Sequence, residues 1–229
     1  MTAPAPVDPS LPTAPAPRKS GILSFIKWGL LLLILGVAGF LGFVATLPDD
    51  FTVARSITID ASPEQLFPWI NNLKKTQQWS PWTKLDPNAK NTFEGPEEGT
   101  GASHAWVGND KMGEGKMTIT DSQPNKEVTS KLEFKKPMED TSTVKLALSP
   151  EGEQTKVTWS MSGHYGNLFQ KAICCVMNMD KMIGGNFEEG LNNLKTTVAA
   201  DQDHVKEEMK EEAKSGGDAC RLCFSITLC

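Results

Sequence analysis

The sequence predicts an α+β protein: an antiparallel sheet wrapped on one long carboxy-terminal helix, preceded by a single transmembrane helix. Three observations carry this. Residues 28–47 are apolar and uncharged; residues 91–161 alternate between short β-like runs and turn signals; residues 169–194 repeat their apolar side chains every three or four positions.

The apolar run, WGLLLLILGVAGFLGFVATL, rises about 1.5 Å per residue as a helix and so spans roughly 30 Å, the thickness of a hydrocarbon core. Arg18, Lys19 and Lys27 precede it, and Asp49 and Asp50 follow. The basic flank places the amino end in the cytoplasm and the rest of the chain across the membrane. The expectation is a single-pass protein of a bacterial inner membrane, contacting it through residues 28–47, with a periplasmic domain. A cleaved signal peptide, cut after Ala38 or Ala45, is the rival; the run exceeds the usual length of such a region and no clean A-x-A site follows. Ala38 and Gly42 have a small-xxx-small spacing, which the ordinary glycine content of membrane helices also explains. The organisation expected is a proline-rich leader at 1–20, an anchor at 21–48, a folded domain at 50–200, and a charged helical extension with an irregular tail at 201–229.

The 229 residues carry a net charge of −5; Arg18, Lys19, Lys27 and Asp8 give +2 before residue 48, leaving −7 beyond it. An acidic domain is a poor match to a phosphate backbone, so no nucleic acid is expected as partner.

Residues 51–60 (FTVARSITID) alternate, with Val53, Arg55, Ile57 and Ile59 on one side, and read as a strand. Ser62, Pro63 and Gln65 have the order of an N-cap, a first helical residue and a capping-box acceptor, so a short helix follows, kept short by Pro68. Residues 73–79 read as a second short helix ending before Pro81. Runs at 102–107, 116–120, 128–134, 143–148 and 156–161, separated by glycine and proline turns, suit an antiparallel meander. Phe169, Ile173, Val176, Met179, Ile183, Phe187, Leu191 and Leu194 mark one amphipathic helix over about 167–200. Gly184, Gly185 and Gly190 are costly inside it, about 1 kcal/mol each relative to alanine, and imply close packing or a gate.

Chemistry-bearing groups are sparse. His104, His164 and His204 are scattered and read as structural or surface histidines. Glu188 and Glu189 are adjacent, so on a helix they diverge. No metal, nucleotide or hydrolase motif occurs, and no cofactor is expected. Cys174 and Cys175 read as small core residues, and Cys220-x-x-Cys223 lacks further ligands nearby.

The element order is that of a helix-grip fold. The stretches RSITIDASPEQLFPWINNLKKTQQWSPW, LDPN, EGPEEGTGASHAWVGN, GEGKMTIT, LEFKKPM, TKVTWSMSG and NFEEGLNNLK resemble the START-like SRPBCC superfamily, over about residues 52–198, and its membrane-tethered polyketide cyclase/dehydrase subgroup in particular. The resemblance implies a cavity between a curved sheet and the long helix, used for hydrophobic ligands. Trp79, Trp82, Trp106, Phe134, Trp159 and Met161, with Met179, Met182, Ile183 and Phe187 as a ceiling, are the candidate lining; equally, they could simply pack a core. The expected function is a membrane-anchored, non-catalytic binding domain for a hydrophobic small molecule or lipid. The alternatives are a cyclase- or dehydratase-like enzyme, for which His104 and Tyr165 are the weak candidates, and an envelope interaction or stress module with a filled core.

Overall fold

A computed structural model describes residues 21–136, 139–177 and 179–226, with side chains over 25–136, 139–176 and 180–210. It divides into two units, Met1–Thr46 and Leu47–Cys229. The first holds α1 (Gly21–Thr46). Its stretch Phe25–Thr46, of mean hydropathy 2.4, is long and apolar enough to cross a membrane.

The second unit opens with β1 (Asp50–Ile59). Then come α2 (Pro63–Asn71), α3 (Leu73–Trp79) and a 3-10 turn at Pro81–Lys84. Ser62 caps α2, and its N–H donates to Gln65 Oε1 at 2.9 Å. Asn72 starts α3, its Oδ1 accepting from the N–H groups of Lys74 and Lys75. These caps let two short helices follow one another with a single residue between them.

Six strands follow in a meander: β2 (Lys90–Glu94), β3 (Ser103–Val107), β4 (Glu114–Gln123), β5 (Glu127–Lys136), β6 (Asp140–Glu151) and β7 (Gln154–His164). The seven strands make one antiparallel sheet in the order β1-β7-β6-β5-β4-β3-β2, so β1 and β2 are its two edges. Asn125, at φ 59°, turns the chain between β4 and β5, a left-handed conformation that asparagine tolerates. β2 is exposed at all five positions, and the sequence reading missed it because a fully exposed edge has no alternation to detect.

The single helix expected over 167–200 is two: α4 (Leu168–Met177) and α5 (Met179–Ile226). The two have separate anchorages. Lys171 of α4 donates to Leu47 O and pairs with Asp49 at 2.8 Å. The first turn of α5 is held over β1 by Arg55, which reaches both the carboxylate and the carbonyl of Asp180. The expected stripe is fully buried only from Phe187 onward: Phe187, Leu191 and Leu194 enter the core, followed by Val198, whereas Ile173 and Ile183 are half-buried and Phe169 and Val176 are exposed. Helix α5 also continues through residues 215–226, where the sequence suggested an irregular tail. The strong helix formers at 201–214 propagate the helix at one hydrogen bond per residue.

Candidate functional site

The concave face of the sheet is built by period two. Val157, Trp159 and Met161 alternate inward along β7 and are all buried, as are Val144, Leu146 and Leu148 on β6. Over them α5 lays Phe187, the last residue of α3 supplies Trp79, and the 3-10 turn after it supplies Trp82. Trp159 is the hub. It stacks on Phe187 with centroids 4.4 Å apart and planes 10° off parallel, and it meets the edges of Trp79 at 5.2 Å and Trp82 at 5.3 Å. Trp82 also meets Phe187 edge-on at 6.1 Å. These are the offset and edge-to-face arrangements that the ring quadrupole favours.

Gly190 explains itself here. A Cβ at that position would lie 2.6 Å from the Trp159 ring and 3.0 Å from Pro81 Cδ, so the glycine is what lets α5 approach Trp159. Gly184 has a similar reason: its Cβ would fall 2.1 Å from Arg55 Nη2. The Arg55 guanidinium passes through that gap to Glu188, at 2.8 Å, and to Asp180, at 3.0 Å. Hydrogen bonds from Arg55 hold the Asp180 carboxyl below the usual carboxylate range. Gly185 faces open space. Glu189 diverges from Glu188, as adjacent helical residues must, and pairs with Lys84 at 2.6 Å.

Trp106 and Phe134 belong to a second aromatic group. They meet edge-on at 5.9 Å, and Trp106 continues through His104 to Phe93, which stacks on the imidazole at 4.7 Å. His104 is buried. Its Nδ1 accepts from Gln77 at 3.3 Å and its Nε2 faces Asn91 Oδ1 at 2.8 Å, an arrangement that fits the neutral ring protonated at Nε2. Burial lowers its pKa to about 4. Tyr165 lies against Phe51, with centroids 5.2 Å apart. Phe51 is on edge strand β1 and His104 on β3, with β7, β6, β5 and β4 between them in the sheet. The two weak catalytic candidates therefore occupy separate regions and do not form an acid–base pair.

Of the ten candidate lining residues, Trp79, Trp82, Trp159 and Phe187 form one cluster, with Met161 buried and Ile183 half-buried in the same core. Trp106 and Phe134 form the other group. Met182 is exposed, so it is no part of a ceiling, because it falls on the outward side of α5. The Met179 side chain lies outside the described residues. Cys174 is half-buried and Cys175 exposed; both are free, so Cys175 is not the core residue expected. Its place on the outward side of α4 is the reason. Among the described residues no group of histidine, cysteine or carboxylate side chains is arranged to hold a metal ion.

The sequence reading missed two features. One is Arg55 with its two carboxylates on α5. The other is a cleft of about 260 Å³ between β1 and the two helices, bordered by Phe51, Val53, Tyr165, Cys174, Cys175 and Asp180. The helical glycines flagged the first, since a glycine opposite a long cation marks a slot. Nothing local flagged the second.

A curved antiparallel sheet closed by a long carboxy-terminal helix defines a START-like, helix-grip domain. The chain belongs to the family described as polyketide cyclase / dehydrase and lipid transport, whose sequence profile matches residues 50–199. Similar solved structures include CalU16 from Micromonospora echinospora, 17% identical, with 73% of this chain and 89% of that one covered at a TM-score of 0.45. A protein from Nitrosospira multiformis is 19% identical over 67% of this chain and 99% of that one, at a TM-score of 0.49. The Aha1 dimer from Colwellia psychrerythraea is also 19% identical, over 65% and 96%, at 0.44. No curated protein matches the sequence. At these identities the likeness says nothing of ligand or activity.

Proposed function

We propose that this chain is a membrane-anchored binding domain for a hydrophobic small molecule or lipid. Helix α1 crosses a bacterial inner membrane with its amino end in the cytoplasm, and the START-like domain stands on the periplasmic side. Binding draws on removal of apolar area from water, about 25 cal/mol per Å² before ordering costs. The tether keeps the domain where such molecules partition.

The observation that supports this reading most is Trp159 Nε1. It is a buried donor with no hydrogen-bond partner, at the centre of the aromatic cluster. An unpaired buried N–H is disfavoured by about 1–3 kcal/mol, and such groups are rare in folded proteins. A molecule with an apolar body and one acceptor would satisfy the indole while parting Phe187 and Trp82. The tight Trp159–Phe187 stack and the Gly190 contact favour a second reading, a filled core serving an interaction module.

Native mass spectrometry of the full chain, released from detergent after incubation with a lipid extract, decides between them. A retained hydrophobic molecule, lost in Trp159→Phe, is the expected result. A chain that stays at its bare polypeptide mass overturns the binding reading in favour of the filled core.

A further inference from the structure

The outward side of α4 has no role in the core. Leu168, Phe169 and Val176 are 41%, 70% and 72% exposed. Successive helical residues are about 100° apart, which places Leu168, Phe169, Cys175 and Val176, all exposed, within an arc of roughly 120° with no charge among them; Ala172, in the middle of that arc, is buried. Single exposed apolar residues are ordinary, but two exposed apolar pairs, one at each end of the same side of a ten-residue helix, mark a contact surface.

The flank of α4 beside that arc says what the surface meets. Lys171, 4% exposed, donates to Leu47 O and to Asp49 Oδ1. Just before α4, the Tyr165 N–H donates to Asp49 O at 2.8 Å. The segment 47–49 is thus held twice by the α4 region, and Leu47 directly follows Thr46, the last residue of α1. Three residues extend at most about 10 Å, so α4 is held close to Leu47, the residue that joins this unit to the apolar helix in the chain. Tyr165, half-buried beside the same segment, is a residue type that favours the membrane–water boundary.

We propose that α4 is an interfacial helix: its Leu168–Phe169–Val176 face lies in the headgroup boundary of the bilayer that α1 crosses and fixes the orientation of the domain. This rests on the reading of α1 as a membrane span. Interfacial helices bury their apolar face about 5–10 Å into that boundary. The arc carries no charge and the domain is net acidic, so the contact is apolar and insensitive to salt. The cleft bordered by Phe51, Tyr165, Cys174 and Cys175 then opens beside the lipid.

The test uses the full chain in lipid nanodiscs, with its five cysteines replaced by serine and a nitroxide label placed at position 169 or 176. Labels at position 35, inside α1, and at 151, the far end of β6, are the references. The expected result is an oxygen-to-nickel-chelate accessibility ratio several-fold higher at 169 and 176 than at 151, below that at 35, and unchanged in high salt. Labels at 169 and 176 that match 151 while 35 is in lipid overturn this inference alone. A label at 35 that is aqueous overturns the anchor itself. Low accessibility to both oxygen and nickel at 169 means cover by protein, which also overturns it. Hydrogen exchange on the otherwise unsubstituted chain in the same discs requires no cysteine replacement: Phe169→Glu with Val176→Glu raises exchange across α4 and leaves β7 unchanged, and equal protection in both chains counts against the inference.

Discussion

The two carboxy-terminal helices have opposite fates, and the more apolar of them, α4, is the one whose large apolar side chains stay outside the core. Along α5, Phe187, Leu191, Leu194 and Val198 are at most 2% exposed, and the helix descends far enough for Gly190 to touch the Trp159 ring. Along α4, Leu168, Phe169 and Val176 face outward, and the inward side is occupied by Lys171 holding the linker. The difference lies in what stands beneath. Under α5 the concave sheet offers large side chains against small ones, Trp159 opposite Gly190 and Arg55 opposite Gly184. Beside α4 lies the polar segment 47–49, which Lys171 satisfies and leucine would not. A helix closes on a sheet where the two surfaces are complementary in volume, and apolar composition alone does not close it.

The most severe way to break that contrast is to remove the hub. Trp159→Ala leaves a cavity against Phe187, Trp79 and Trp82 and should cost about 3–5 kcal/mol, which is roughly 10 °C in Tm for a domain of this size. Phe169→Ala on α4 should change stability by less than about 0.5 kcal/mol, as exposed positions do. Calorimetry of the full chain in detergent measures both, and similar losses at the two sites would erase the distinction between a closed and an open helix.

A finer probe adds volume instead of removing it. In Gly190→Ala the new methyl meets the Trp159 ring and Pro81, so helix propensity should be outweighed by overpacking, for a net loss of about 1–3 kcal/mol. Urea titration with an unchanged m-value would assign the loss to the native contact.

The second aromatic group yields a pH prediction. The folded-state pKa of His104, about 4, lies below its ordinary value near 6.5. Above about pH 6.5 both folded and unfolded chains hold the ring neutral. As pH falls from there toward 4, the unfolded chain takes up the proton and the folded chain does not, so stability declines across that window. After allowance for solvent screening the loss is on the order of 2 kcal/mol. His104→Gln should flatten the decline of Tm between pH 7 and 4.5; a slope identical to the parent's would mean that the histidine is accessible to protons in the fold.

Much of the closed region is legible in the sequence. Period two alone points Val157, Trp159 and Met161 inward, and the capping order at Ser62–Gln65 positions the helix that leads to Trp79. The open region is not legible, because the three-to-four repeat runs unbroken from Phe169 to Leu194 and carries no mark of the change from α4 to α5. Periodicity reports that a helix has an apolar side; it does not report which body that side meets. The Arg55 contacts were hidden for another reason. Asp180 and Glu188 are 125 and 133 residues from Arg55, and the packing of α5 over β1 brings them together. Trp106 and Phe134 were grouped with the hub by residue type, yet β6 stands between β7 and the β5 of Phe134, and β6, β5 and β4 between β7 and the β3 of Trp106, so their rings meet each other and not that of Trp159.

The adjacent pair Gly184-Gly185 gives the smallest and most discriminating comparison. Both sit within α5 and both carry the same backbone cost as glycines, so alanine at either should gain up to about 1 kcal/mol from propensity alone. Gly185 faces open space, and Gly185→Ala should realise that gain. At Gly184 the methyl would take the space through which Arg55 reaches Asp180 and Glu188, so Gly184→Ala should gain nothing or lose stability. Combining it with Arg55→Ala removes the obstruction, and the alanine gain should then reappear, since the two effects share one contact and are not additive. If Gly184 instead serves as a hinge for ligand entry, the signature is different: alanine there would slow uptake of a hydrophobic probe whether or not Arg55 is present. A glycine that exists for the arginine and a glycine that exists for movement are therefore separated by one double-mutant cycle read twice, once by thermal unfolding and once by the rate of probe uptake.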